Sequence, residues 1–116
     1  MKLIFVASPY AGDVEKNIAY AKEACRHVLA EGHAFFCPHL LYPQILDDNN
    51  MEERKIGIRM GKEFLNKCDE VWVFGKHISN GMFEEIEFAR SKSIPIKRII
   101  ELSIEENELA PLRLGM

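Results

Sequence analysis

The chain has 116 residues, 47% of them hydrophobic and 28% charged, an ordinary globular composition with room for one core and not comfortably for two. A net charge of −3 and a pI near 5.8 exclude a general nucleic-acid surface, which needs a basic patch for phosphate contacts, although backbone donors can hold a small anion whatever the net charge. No apolar run approaches a membrane span, and MKLIFVA is too short for a signal peptide. The three cysteines, Cys25, Cys37 and Cys68, are odd in number and far apart, as expected of reduced thiols in a cytoplasmic protein.

Leu3 to Ala7 is an apolar run and reads as a first, central strand. Pro9 stops it, Gly12 permits a tight turn, and Asp13 can cap a following helix. That helix has apolar residues at helical spacing (Val14, Ile18, Ala21, Ala24 or Cys25, Val28, Leu29) and ends at Gly32. Ala34 to Cys37 is a short second strand closed by Pro38-His39. The stretch from Leu40 to Asn50 is long for a connection and apolar, so it is expected to pack onto the body as a lid or partner surface. Met51 to Lys67 reads as a helix with Ile56, Met60, Phe64 and Leu65 inward. Gly57 and Gly61 lie inside it, each costing about 1 kcal/mol relative to Ala, which points to close packing or ligand access. Val71 to Phe74 is a continuous apolar run, as in a buried parallel strand. Gly75 ends it, and Ser79-Asn80-Gly81 leads into a helix to about Ser91. Ile94-Pro95-Ile96 opens a last strand to about Ile100, and Glu101 to Met116 reads as an irregular or short helical tail.

The order β-α-β-loop-α-β-α-β predicts a single three-layer α/β domain over residues 1–116. It is Rossmann-like or flavodoxin-like, with a parallel sheet of about four to five strands in the order 2-1-3-4. The crevice between the carboxyl ends of strands one and three is then the switch point. It sets Ser8, Tyr10 and Gly12 opposite Ser79, Asn80, Gly81 and Glu85, with His39 at the rim.

Glu85 shares a helix face with Met82, Phe88 and Ala89, so its carboxylate can be desolvated and poised as a nucleophile or base. On pattern alone the plainer reading of Glu84 and Glu85, as first-turn acids favoured by the helix dipole, is the stronger one. Ser79-Asn80-Gly81 can hold a phosphate or a sugar hydroxyl, or simply cap the helix. Asp69 has a structural role, and His27 and His77 read as surface histidines. Cys37-Pro38-His39 with His33 and Asp47 matches no closed zinc spacing, so no metal is expected. Neither G-x-S-x-G, G-x-G-x-x-G nor a Walker A loop is present, which leaves a serine hydrolase, a dinucleotide oxidoreductase or an NTPase without support.

Asp69-Glu70-Val71-Trp72-Val73-Phe74, then Ser79-x-Gly81-x-x-x-Glu85-Ile86-x-x-Ala89, then Ile94-Pro95-Ile96 resemble the nucleoside 2-deoxyribosyltransferase superfamily. That group includes the 2′-deoxynucleoside 5′-phosphate N-hydrolases, and the likeness runs along nearly the whole chain. The resemblance implies Glu85 as the nucleophile that attacks the anomeric carbon, with a glycosyl-enzyme ester resolved by water or a second base. It implies Ser79 at phosphate, as in the monophosphate hydrolases, and Tyr10 and Gly12 along the sugar and phosphate pocket. The superfamily's second acid, on the helix before the third strand, falls on Gly61 here, with Glu63 two residues further on. Asp47, Asp48 or His39 would have to supply that proton, and losing a general acid costs about two to four orders of magnitude.

The resulting expectation is an N-glycosidic bond hydrolase or transferase acting on a (deoxy)nucleoside 5′-monophosphate or related nucleoside. Glu85 is the nucleophile; Ser79, Asn80, Gly81 and Gly12 hold phosphate; Ser8 and Tyr10 position the sugar. No metal or organic cofactor is needed, and neither nucleic acid nor membrane is a partner. Residues 40–46 and Trp72 fit a homodimer or larger homo-oligomer. The alternatives are a non-catalytic nucleotide-binding or sensing module, and a partner-binding protein using the 40–50 loop.

Overall fold

A computed structural model describes residues 1–102. Four parallel strands form one sheet in the order β2-β1-β3-β4: β1 (Leu3–Ala7), β2 (Ala34–Phe36), β3 (Glu70–Phe74) and β4 (Ile96–Ile99). Three helices connect them: α1 (Val14–Ala30), α2 (Met51–Leu65) and α3 (Asn80–Ser91). The architecture and strand order are those expected. The tail, from residue 103 onward, lies outside the described residues.

The central pair, β1 and β3, pairs Phe5 with Val71 and Val6 with Trp72, and both strands are buried along their carboxyl halves. Period-two alternation splits their side chains between two cores. Ile4, Val6, Trp72 and Phe74 meet Ala21, Ala24, Cys25 and Val28 of α1. Phe5, Ala7, Val71 and Val73 meet Leu65 of α2 and Met82, Ile86 and Ala89 of α3. Asp69 ties the strands' entry, its Oδ2 accepting from the Leu3 amide at 2.7 Å.

Each helix begins where a side chain takes up an open amide. Asp13 accepts from Lys16, Asn50 from Glu52 and Glu53, and Ser79 from Met82. The 40–50 segment is not a plain loop. A 3-10 turn, Pro38–Leu40, leads into it and a second, Tyr42–Gln44, lies within it, the second braced by Gln44 Nε2 donating to the Leu40 carbonyl.

Three expectations need correction. The inner face of α2 is the stripe Gly57, Gly61, Leu65; of the residues expected inward, Leu65 is buried and Met60 half-buried, whereas Ile56 and Phe64 are not inward. Ile56 and Phe64 are 41% and 44% exposed, and Phe64 instead stacks on Phe36 at the sheet edge, with ring centroids 4.2 Å apart. Glycine carries no apolar signal, so the periodicity centred that face one residue away from its true position. Trp72 is 3% exposed and offers no surface to a second subunit. Its Nε1 donates to Glu70 at 3.0 Å, and the Lys97 ammonium lies 4.4 Å from the ring centroid. His27 is half-buried, its ring 6.0 Å from Trp72 and 6.1 Å from Phe74. The three cysteines are free and buried. No helix among the described residues is long and apolar enough to cross a membrane.

Candidate functional site

A cavity of about 340 Å³ opens at the carboxyl end of the sheet, between the β1–α1 turn, the 3-10 turns, α2 and the start of α3. Both α2 and α3 return toward the amino ends of the strands, so their N-termini share the rim of this cavity. Of the residues the sequence singled out, Tyr10, His39, Ser79, Asn80, Gly81 and Glu85 all line it. Ser8 and Gly12 do not. Ser8 is fully buried beneath, its Oγ without a hydrogen-bond partner. Gly12 is exposed in the turn at φ 97°, a conformation that favours glycine. Asn17 fixes this turn, its Nδ2 donating to the Tyr10 carbonyl at 2.9 Å and the Ala11 carbonyl at 3.0 Å.

The α3 wall is polar. Ser79 Oγ accepts from the Met82 amide at 3.2 Å, which leaves its own proton free to donate. Glu85, one and a half turns further along, faces the cavity with Oε1 buried and unpartnered. Burial pushes its carboxyl up to about 8, the nearby Cys37 thiol and Glu84 add to the rise, and Lys62 opposes it. Glu85 is therefore mostly neutral at pH 7 in the ligand-free protein. The opposite wall is apolar and aromatic. Tyr10 stacks on His39 with ring centroids 5.1 Å apart and planes 21° from parallel, and Tyr42, Pro43, Leu46 and Ile58 continue it. Burial holds the His39 imidazole below its ordinary range, while Asp48 and the Ser8 backbone favour its charged form.

Among the candidate proton donors, Asp48 and His39 are on the cavity wall, whereas Asp47 and Glu63 are not. Asp47 is engaged in its own loop, Oδ1 accepting from the Asn49 amide at 2.9 Å. Sequence reasoning missed Tyr42, Glu53, Arg54, Ile58 and Lys62, all on the wall. The α2 members had a legible signal. Residues 53–54, 57–58 and 61–62 recur every four positions along one helix face, marked by the two glycines. Among the described residues no His/Cys/Asp/Glu group is arranged to hold a metal ion.

A search of curated proteins by sequence finds no match. Among solved structures, the fold is similar to the 2-deoxyribosyltransferase of the psychrotolerant bacterium Bacillus psychrosaccharolyticus. The TM-score is 0.70 and the identity 16%, over 95% of this chain and 81% of that one. The sheet, its strand order and its helical layers thus form a 2-deoxyribosyltransferase-like fold. Residues 2–99 match the family described as a domain of unknown function, DUF7768, and the chain belongs to that family.

Proposed function

We propose that this chain cleaves or transfers the N-glycosidic bond of a (deoxy)nucleoside 5′-monophosphate or a related nucleoside, with Glu85 as the nucleophile. The observation that carries this reading is a buried, unpartnered carboxyl oxygen on the wall of a cavity at the sheet's switch point. An unsatisfied acid in such a place costs stability, and a reacting partner would explain it. The similar solved structure is a nucleoside-synthesising 2-deoxyribosyltransferase, which favours this chemistry over others the fold could host.

In the proposed reaction a Glu85 oxygen attacks the anomeric carbon as the bond to the base breaks. The electron pair stays on the base nitrogen, which takes a proton. The glycosyl ester is then opened by water, giving hydrolysis, or by the nitrogen of a second base, giving transfer. Positive charge developing on the sugar is stabilised by the carboxylate, as in retaining glycosidases. The proton comes from His39, which Asp48 draws toward its charged form against the effect of burial. Open amides at Asn80 and Gly81, together with the Ser79 hydroxyl, receive the phosphate at the α3 N-terminus.

The test is free-base release from a panel of nucleosides and their 5′-monophosphates, read by chromatography, with Glu85→Gln alongside. The expected loss on substitution is about 10³-fold or more, and kcat/KM should follow a bell, with its maximum between the lowered His39 range and about 8, where Glu85 ionises. Full turnover by Glu85→Gln would overturn the assignment. A second reading, a nucleotide-binding module without turnover, is favoured by Gly61 standing where the superfamily carries its second acid. A nucleotide that stabilises the protein yet survives intact for hours would select it.

A further inference from the structure

A carboxyl that is to attack must first lose its proton, and burial, the Cys37 thiol and Glu84 all hold that proton on Glu85. The cavity wall carries two fixed cations, Arg54 and Lys62, both on α2. Arg54 stands at the rim, eight residues and about 12 Å up the helix from Lys62. Lys62 lies in the last turn of α2, where the helix dipole favours a cation. It reaches across to α3, its Nζ 5.8 Å from the centroid of the Phe88 ring. Phe88 follows Glu85 by three residues on the same helix face, so the ammonium stands beside the turn that carries the acid. Lys62 is half-buried and enters none of the ion pairs among the described residues. Lys92 lies 5.7 Å from the same ring centroid but is not on the cavity wall. Phe88 thus holds two ammoniums, and one of them shares the cavity with Glu85.

The other titratable groups around the cavity do not supply this charge. Glu84 on α3, Glu53 on α2 and Asp48 ahead of α2 are acids, which oppose a further negative charge. His39 is held toward its neutral form by burial, and the Tyr10 and Tyr42 phenols carry no positive charge. We propose that Lys62 is a positioning residue for the reaction: its ammonium, held on Phe88, is the counter-charge that keeps Glu85 as a carboxylate in the ligand-bound cavity. The proton passes to bulk solvent as the ligand enters. Displacing water lowers the local dielectric and strengthens the attraction between the two groups. The consequence for turnover rests on the glycosidic reading; the pairing itself rests on the α2–α3 wall.

The experiment titrates Glu85 directly, by carboxyl-carbon NMR of the whole chain labelled at its glutamates, with Glu85→Gln identifying the signal. Lys62→Met should raise the Glu85 midpoint by about 0.5 pH unit or more, with Lys62→Gln in its place if thermal unfolding shows that the first variant does not fold. Lys62→Arg keeps the charge and should stay within about 0.3 unit of wild type. Lys92→Met removes the other ammonium from Phe88 and should leave the midpoint where it is. A midpoint unmoved in Lys62→Met would overturn the proposal, as would an equal rise in Lys62→Arg or in Lys92→Met. Base release from nucleosides and their 5′-monophosphates separates the pairing from the enzyme reading. The alkaline limb of kcat/KM, at about 8 in wild type, should move up with the midpoint in Lys62→Met. A raised midpoint with no base released from any of them keeps the pairing and sinks the enzyme reading. Glu85-dependent base release with one and the same pH profile in wild type and Lys62→Met does the reverse.

Discussion

On one face of the sheet, α1 lays Ala21, Ala24, Cys25 and Val28 against Ile4, Val6, Trp72 and Phe74, and the contact is closed. On the other face, Leu65, Met82, Ile86 and Ala89 cover Phe5, Ala7, Val71 and Val73, but the upper turns of α2 and α3 stand apart around a cavity of about 340 Å³. Both faces use small residues on a helix. On α1 they are alanines, which let the helix approach the sheet and leave nothing between. On α2 they are glycines at which a Cβ would make ordinary contacts only, with Leu46 and Tyr42 at Gly57 and with Pro38 at Gly61. The difference separates a closed contact from a half-open one: α1 is seated along its length on the sheet, while α2 is seated at Leu65 and lines the cavity above it.

The largest effect that tests the open face is electrostatic. Glu85 holds its proton up to about 8, chiefly through burial, against an ordinary 4.5. The folded state thus binds that proton more tightly than the unfolded chain does. The stabilisation is fully present below about pH 4.5 and is lost as pH rises through about 8. At about 1.4 kcal/mol per pH unit, the loss across that window is roughly 3–5 kcal/mol. Urea midpoints at pH 5 and pH 8.5 should show this fall in wild type and a much shallower one in Glu85→Gln. Parallel pH dependences in the two proteins would mean that the carboxyl is solvated and the open face is wetter than described.

The next effect compares like substitutions on the two faces. Ala24→Leu adds volume to a closed contact, where Ala24 is fully buried, and should destabilise by about 1–3 kcal/mol without altering substrate KM. Gly61→Ala adds volume beside the cavity and should stabilise by up to about 1 kcal/mol while raising KM. Opposite signs in both stability and KM would establish the contrast. The same sign in stability would mean that α2 is packed as tightly as α1.

This contrast also explains what the sequence made legible. Leu3–Ala7 and Val71–Phe74 are apolar without interruption because both of their sides are covered, so the central strands, the sheet order and the switch point could be read directly. Ser79 could be read as a cap from fixed helical geometry, whereas Glu85 was set apart by the resemblance, since on pattern alone a first-turn acid was the stronger reading. The α2 wall was misread because the hydrophobic pattern reports apolar side chains, and here the inward positions have none. Ile56 and Phe64 supplied a false face for the same reason. Residues 38–50 were legible only as an apolar connection, since two 3-10 turns give no period to detect. Their contribution of Tyr42, Leu46 and Asp48 to the wall arises from tertiary packing alone.

The smallest effect compares the two caps at the cavity rim. Asn50 and Ser79 do the same structural work, each accepting from amides in the first turn of its helix. Asn50→Ala and Ser79→Ala should each lower stability by about 1 kcal/mol, visible as similar shifts in the urea midpoint. Their effects on a ligand should differ. The Asn50 oxygen is taken up by the Glu52 and Glu53 amides, and Asn50 is not on the cavity wall. The Ser79 hydroxyl accepts from Met82 but keeps a proton to donate, and it faces the cavity beside two open amides. Ser79→Ala should therefore weaken a 5′-monophosphate more than the matching nucleoside, by about 1 kcal/mol or more for one lost bond to a charged oxygen, whereas Asn50→Ala should treat the two ligands alike. Equal selectivity in both variants would reduce Ser79 to a cap and move the anion elsewhere on the rim, with Arg54 at the head of α2 the first cation to examine.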